Sequence, residues 1–171
     1  MRKIITLTAI IILSSFIAMA QKKEIATRFS AGPELGFATG TFSNGWGLGI
    51  GVSGQGEHFF QNNISGTALL GITSYVGKSI GSGIKNTSTT IVPLRIGARY
   101  YIADNFHVGA QIGVGFISYV TSTTAFAYSP QIGYNFKTKP GYSIDASFKY
   151  DGYSKSGGSL GAFGIRVAYI F

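Results

Sequence analysis

The sequence predicts an all-β protein: an eight-stranded antiparallel up-and-down transmembrane barrel, preceded by a cleavable leader. Three observations carry this. Hydrophobicity alternates with period two from Phe29 to the C-terminus, which is the rhythm of strands and not of helices. The charged residues of those segments fall on the face opposite the apolar one. Charge is also scarce, at 12% of residues beside 25 Gly, 13 Phe and 10 Tyr, whereas a water-facing surface carries about 25–35%.

The chain opens with Met1-Arg2-Lys3, runs through apolar Ile4 to Ile17, and reaches Ala18-Met19-Ala20 before Gln21. A basic start, a short apolar run and small residues at the cut are the parts of a secretory signal peptide. The run is too short to cross a bilayer as a helix, which takes about 20 apolar residues. The expected organisation is a signal peptide over 1–20, with Ala18, Ala20 and Gln21 defining the cleavage site. A periplasmic stub over 21–27 and a barrel over 28–171 follow. The mature chain then has 151 residues and a formal charge of +6. The absence of Cys excludes disulfides, thiolate catalysis, Cys-based metal sites and lipid attachment through an N-terminal Cys. A pI of 9.8 raises nucleic acid as a partner, but no block of like charges occurs and an exported chain meets none. Internal charge pairs and anionic head groups account for the basicity instead.

Eight alternating segments follow one another. Phe29, Ala31, Pro33, Leu35 and Phe37 share the first apolar face, and Trp46, Leu48, Ile50 and Val52 the second. Ile64, Ala68, Leu70 and Ile72 form the third; Val92, Leu94, Ile96, Ala98 and Tyr100 form the fourth. The fifth is Val108, Ala110, Ile112, Val114 and Phe116, and the sixth Phe126, Tyr128, Ile132, Tyr134 and Phe136. Tyr142, Ile144, Ala146, Phe148 and Tyr150 make the seventh, and Phe163, Ile165, Val167, Tyr169 and Phe171 the last. Turn-prone stretches separate them at Gly40–Gly45, Gly54–Asn62, Gly77–Ser88, Ala103–Asn105, Thr121–Thr124, Thr138–Gly141 and Asp151–Gly158. Membrane strands of about 9–11 residues fit this length eight times over.

With parity fixed by the apolar residues, Glu34, Arg95, Arg99, Asp145, Lys149 and Arg166 all fall on the other face. Unbiased placement does this about one time in 64. Gln111, Gln131 and Asn135 join them, among glycines such as Gly49, Gly97, Gly113 and Gly133. A soluble barrel also segregates charge, but turns its bulky apolar residues inward. Here the polar face is the small one, which suits the crowded interior of a narrow barrel, while the bulky face suits lipid. Aromatics gather near the ends of the segments, as in the girdles at membrane interfaces. The six charges are therefore expected to form a lumenal network that plugs the barrel; a selectivity-forming pore lining is the alternative.

The eight segments, the stretches VPLRIGARYYIADNFHVGAQIGVGF and SPQIGYNFKTKPGYSIDASFKY, and the ending GIRVAYIF together resemble the outer-membrane β-barrel domain proteins related to the OmpA and OmpX barrels. The resemblance covers Arg28 to Phe171. It implies a bacterial outer-membrane, multi-pass location, and roles for Tyr169 and Phe171 as the terminal signal read by the barrel-assembly machinery. Pro33, Pro93 and Pro130 depart from an ideal strand, because each removes a ladder donor; bulges or strand ends near the rims are the expected accommodation.

The remaining motifs read as structure. Gly49-Ile50-Gly51-Val52-Ser53-Gly54 matches G-x-G-x-x-G but opens no helix to receive a pyrophosphate. Gly77-Lys78-Ser79 has the wrong spacing from Gly71 for a phosphate loop. Lipid-modifying enzymes of this membrane need a His base beside a nucleophile at the outer rim; His58 and His107 are expected at the periplasmic rim, solvated or interfacial. Two His with few carboxylates make a poor metal site. The expectation is a structural or surface-interaction barrel with a plugged lumen, no catalytic residues, no cofactor and no metal. A narrow passive channel for small solutes is the alternative, and a lipid-modifying enzyme the less favoured one. Its partners are expected to be outer-membrane lipid, the assembly machinery and an unidentified ligand at the outer loops. No nucleic acid is expected, and the protein is expected to be a monomer.

Overall fold

The computed structural model describes residues 27–79, 86–119, 122–139 and 142–171; the leader, with Ala18, Ala20 and Gln21, lies outside them. Eight antiparallel strands, β1 (Thr27–Thr39), β2 (Trp46–Gln61), β3 (Ile64–Gly77), β4 (Thr89–Tyr101), β5 (Phe106–Ser118), β6 (Ser122–Lys139), β7 (Tyr142–Lys155) and β8 (Gly158–Ile170), pair in chain order. Pairing of β1 with β8, from Ser30 opposite Ile170 to Thr39 opposite Gly161, closes the barrel. Closure satisfies every edge, the condition for a sheet in hydrocarbon. One end carries both termini of the barrel and the tight connections at 62–63 and 102–105. The distal end carries the longer segment 78–88 and a 3-10 turn, Gly40–Asn44.

The strands run 13 to 18 residues, longer than a hydrocarbon crossing requires, and this shortens the expected turns. Gly54 to Gln61 and Asp151 to Lys155 are strand, not turn, β6 takes in 122–124 and 138–139 from two more expected turns, and β1 takes in Thr27 from the expected stub. Trp46 does not share the lipid face of Leu48, since a register shift between Trp46 and Gly49 turns the indole toward Phe42 and Tyr119, at centroid distances of 5.4 and 5.3 Å. The prolines sit at neither bulges nor rims. Each pairs normally on one side, Pro33 with Val52, Pro93 with Gly115 and Pro130 with Ala110. On the other side the ladder skips two residues and resumes in the same register, as between Leu70↔Leu94 and Thr73↔Ile91. A missing N–H opens the ladder toward one neighbour only, so no residue needs to be inserted.

Large apolar residues point outward. Ile50, Ile96, Ile112 and Ile132 are about half exposed or more at mid-strand, flanked by exposed Phe29, Phe37, Tyr100, Phe106, Phe126, Phe136 and Tyr169 nearer the ends. The interior holds the polar residues.

Candidate functional site: the lumen and its distal mouth

Alternation in β1, β4, β7 and β8 turns Glu34, Arg95, Arg99, Asp145, Lys149 and Arg166 into the lumen, each 4% exposed or less. They form part of one unbranched chain of alternating charge. Arg95 pairs with Asp151, whose second oxygen lies 3.3 Å from Lys149. Lys149 reaches Glu34 at 2.7 Å, and Glu34 lies 3.6 Å from Arg166, its cross-strand partner over the closing seam. Arg166 continues to Asp145 at 3.6 Å, Asp145 to Arg99 at 3.1 Å, Arg99 to Glu57 at 3.5 Å, and Glu57 to Arg28 at 3.5 Å near the terminal rim. Every carboxylate thus joins two cations.

Hydroxyls complete the coordination. Ser53 donates to Glu34 at 2.5 Å, Ser65 to Glu57 at 2.6 Å, Ser129 to Asp151 at 2.7 Å, and Ser147 to Asp145. Tyr101 donates to Glu57 at 2.7 Å. Buried charges persist only when paired and hydrogen-bonded, and the chain meets that condition for its four acids.

Glu57, Asp151, Arg28 and His107 are members that the sequence reading did not assign. His107 is fully buried with Nε2 2.8 Å from Asp145, not solvated at a rim. His58 lies at the terminal end, its Nδ1 2.9 Å from the Thr27 hydroxyl. Parity was the available signal: Glu57 continues the register of Ser53 and Gln55, and Asp151 that of Asp145 and Lys149, but glycines beside both suggested turns.

Above the charges, toward the distal end, the lumen holds an apolar cluster. Phe42, from the 3-10 turn, is 1% exposed and packs edge-on against Tyr75 at 4.9 Å, over Ile91, Ile117, Tyr153 and Ala162. Glycine makes the room for these rings. A Cβ on Gly49 would lie 2.6 Å from the Tyr75 ring, and one on Gly115 2.5 Å from that of Tyr153. Among the described residues no cluster of three metal-ligating side chains occurs, and the G-x-G-x-x-G run lies inside β2, which continues as strand to Gln61.

A closed barrel with a polar filling and an apolar outer belt flanked by aromatics defines a membrane-spanning β-barrel. The chain matches the outer membrane protein beta-barrel domain over residues 8–171. It belongs to that family, and is a bacterial outer-membrane protein that crosses the bilayer with strands. No curated protein matches its sequence. Solved structures share the fold. They include Ail, the attachment invasion locus protein of Yersinia pestis, in complex with the heparin analogue sucrose octasulfate (18% identity, TM-score 0.57, covering 86% of this chain and 99% of Ail). Neisserial surface protein A is 14% identical, with TM-score 0.62 and coverage of 86% and 97%. OprG of Pseudomonas aeruginosa is 7% identical, with TM-score 0.53 and coverage of 85% and 95%.

Proposed function

We propose that this protein is a closed barrel with a structural and surface-interaction role, presenting its distal loops outside the cell, and neither conducts solutes nor catalyses a reaction. The observation that carries this is the double seal: an unbroken chain of ion pairs fills the lower lumen, and the Phe42 cluster fills the upper. The two longest connections, 40–45 and 78–88, both lie at the distal end, which supports a periplasmic position for the termini. Ail, the attachment invasion locus protein that shares the fold, was solved with a heparin analogue, in keeping with an interaction role. Against catalysis stands the placement of both histidines. His58 meets only the Thr27 hydroxyl, at the periplasmic end and away from the outer rim, and Asp145 stands between His107 and Ser147. Purified protein in a planar bilayer is expected to show no conductance steps; a steady current through the wild type would establish the narrow channel instead.

The proposed partners are lipid along the outer belt, no second copy of the chain, and the assembly machinery at the C-terminus. Tyr169 and Phe171 stack edge-on outside the seam at 5.0 Å, and Phe171 N–H donates to the Phe29 carbonyl at 2.8 Å. Deleting Phe171, or changing Tyr169 and Phe171 to Ser, is expected to lower inserted barrel while export across the inner membrane continues. Cell fractionation checks this, and unchanged outer-membrane levels would refute the role.

A further inference from the structure

A cavity of about 360 Å³ opens at the distal mouth. Phe42, Ile117 and Leu160 form its floor, which is the upper side of the lumenal plug. Trp46 and Tyr119 form a corner, their rings 5.3 Å apart at 87°, and the indole Nε1 donates to the Thr87 carbonyl at 3.1 Å, which holds the ring in place. Thr89, Ser122, Thr123 and Lys155 supply the polar lining. Lys155 is exposed and has no ion-pair partner among the described residues. No carboxylate lines the cavity, and Lys155 is its one charged lining residue. The mouth is thus apolar below, aromatic on one side, hydroxyl-bearing on another, and positive.

We propose that this mouth is a binding site for a saccharide bearing an anionic group, phosphate or sulfate. A pyranose has apolar C–H faces and a hydroxylated edge. The faces fit the corner of the two rings, the edge meets Ser122 and Thr123, and the anion meets the Lys155 ammonium. The volume lies at the low end of small-molecule sites, about 300–1,000 Å³, and suits one or two sugar rings. A wholly apolar solute would strip water from Lys155 and the hydroxyls without replacing its hydrogen bonds, and a cation would find no acid. The inference rests on the outward-facing orientation proposed above but not on the closed lumen, so a conductance result leaves it untouched. Free glycan and a membrane glycolipid head group share this chemistry, and the test separates them.

Trp46 is the only tryptophan in the chain, so its emission reports the cavity directly. In phosphatidylcholine vesicles, glucose 6-phosphate and glucose 6-sulfate are expected to shift that emission saturably. Glucose should do so about five-fold more weakly, as one exposed charge contact would give, and inorganic phosphate not at all. Lys155→Ala should reduce the charged sugars to the level of glucose, and Tyr119→Ala should weaken all of them, with heat-modifiable gel mobility showing both variants folded. Vesicles containing lipid A identify the glycolipid as the source if they shift the emission beforehand and raise the glucose 6-phosphate needed; an unchanged titration identifies free glycan. No saturable shift with either charged sugar, an equal response to inorganic phosphate, or unaltered titrations in both folded variants would overturn the proposal.

Discussion

Asp145→Asn is expected to cost about 3–5 kcal/mol of folding free energy in lipid vesicles, the loss typical of removing one partner from a buried ion pair. Asp145 stands mid-chain, holding Arg166 and Arg99 and accepting from Ser147, with His107 at 2.8 Å. Asparagine keeps the volume but removes the charge. Arg99 is left with Glu57 and Arg166 with Glu34, each also shared with another cation. Five bases then face three acids along the lumenal chain. Arg28→Gln removes a charge from the end of the same chain, where the side chain is 29% exposed, and should cost only about 0–1 kcal/mol. Urea titration followed by Trp46 emission measures both; equal small losses would mean that the ion pairs do not act as one chain. Arg99→Gln added to Asp145→Asn should recover part of the loss, because it removes a cation the first change left under-paired.

The parts of this molecule legible in its sequence are those set by period two. Once Ile96 and Ile112 point to lipid, Arg95 and Gln111 must point inward, and the six charges assigned to the lumen follow from that parity alone. Parity is lost where a register shifts or a strand overruns its expected length. Trp46 lies across a bulge from Leu48, so its side chain left the lipid face without any signal in the alternation. Asp151-Gly152 and Gly54-Gln55-Gly56-Glu57 have turn composition, yet in a narrow barrel those glycines are strand residues. Phe42 was invisible for another reason. A phenylalanine in a short polar loop has no periodic partner, and its burial depends on a cavity between Tyr75 and Ile91 that exists only once eight strands have closed. Ion-pair order is likewise a property of closure, since Glu34 and Arg166 are far apart in sequence and meet across the seam of β1 and β8.

Ile112→Arg should cost about 2–4 kcal/mol in a bilayer of ordinary thickness, the penalty for a guanidinium near the midplane on the lipid face of a barrel. Ile112 lies at the centre of β5 and is 54% exposed on the outside. Its neighbour Gln111 is 1% exposed inside, donating to Gln55 and Thr67 at 3.1 Å each. Gln111→Arg is also expected to destabilise, but for a different reason: it adds a cation to a lumen whose four acids already serve two cations each. Bilayer thickness separates the two effects. Shorter acyl chains bring the interface closer to position 112, so the guanidinium reaches head groups and the Ile112→Arg penalty should shrink. The lumen does not meet the acyl chains, so the Gln111→Arg penalty should stay constant. Urea titrations of both variants in vesicles of long- and short-chain phosphatidylcholine measure the contrast. Penalties that respond alike to thickness would mean that residues 111 and 112 share one environment, which a closed barrel with alternating side chains forbids.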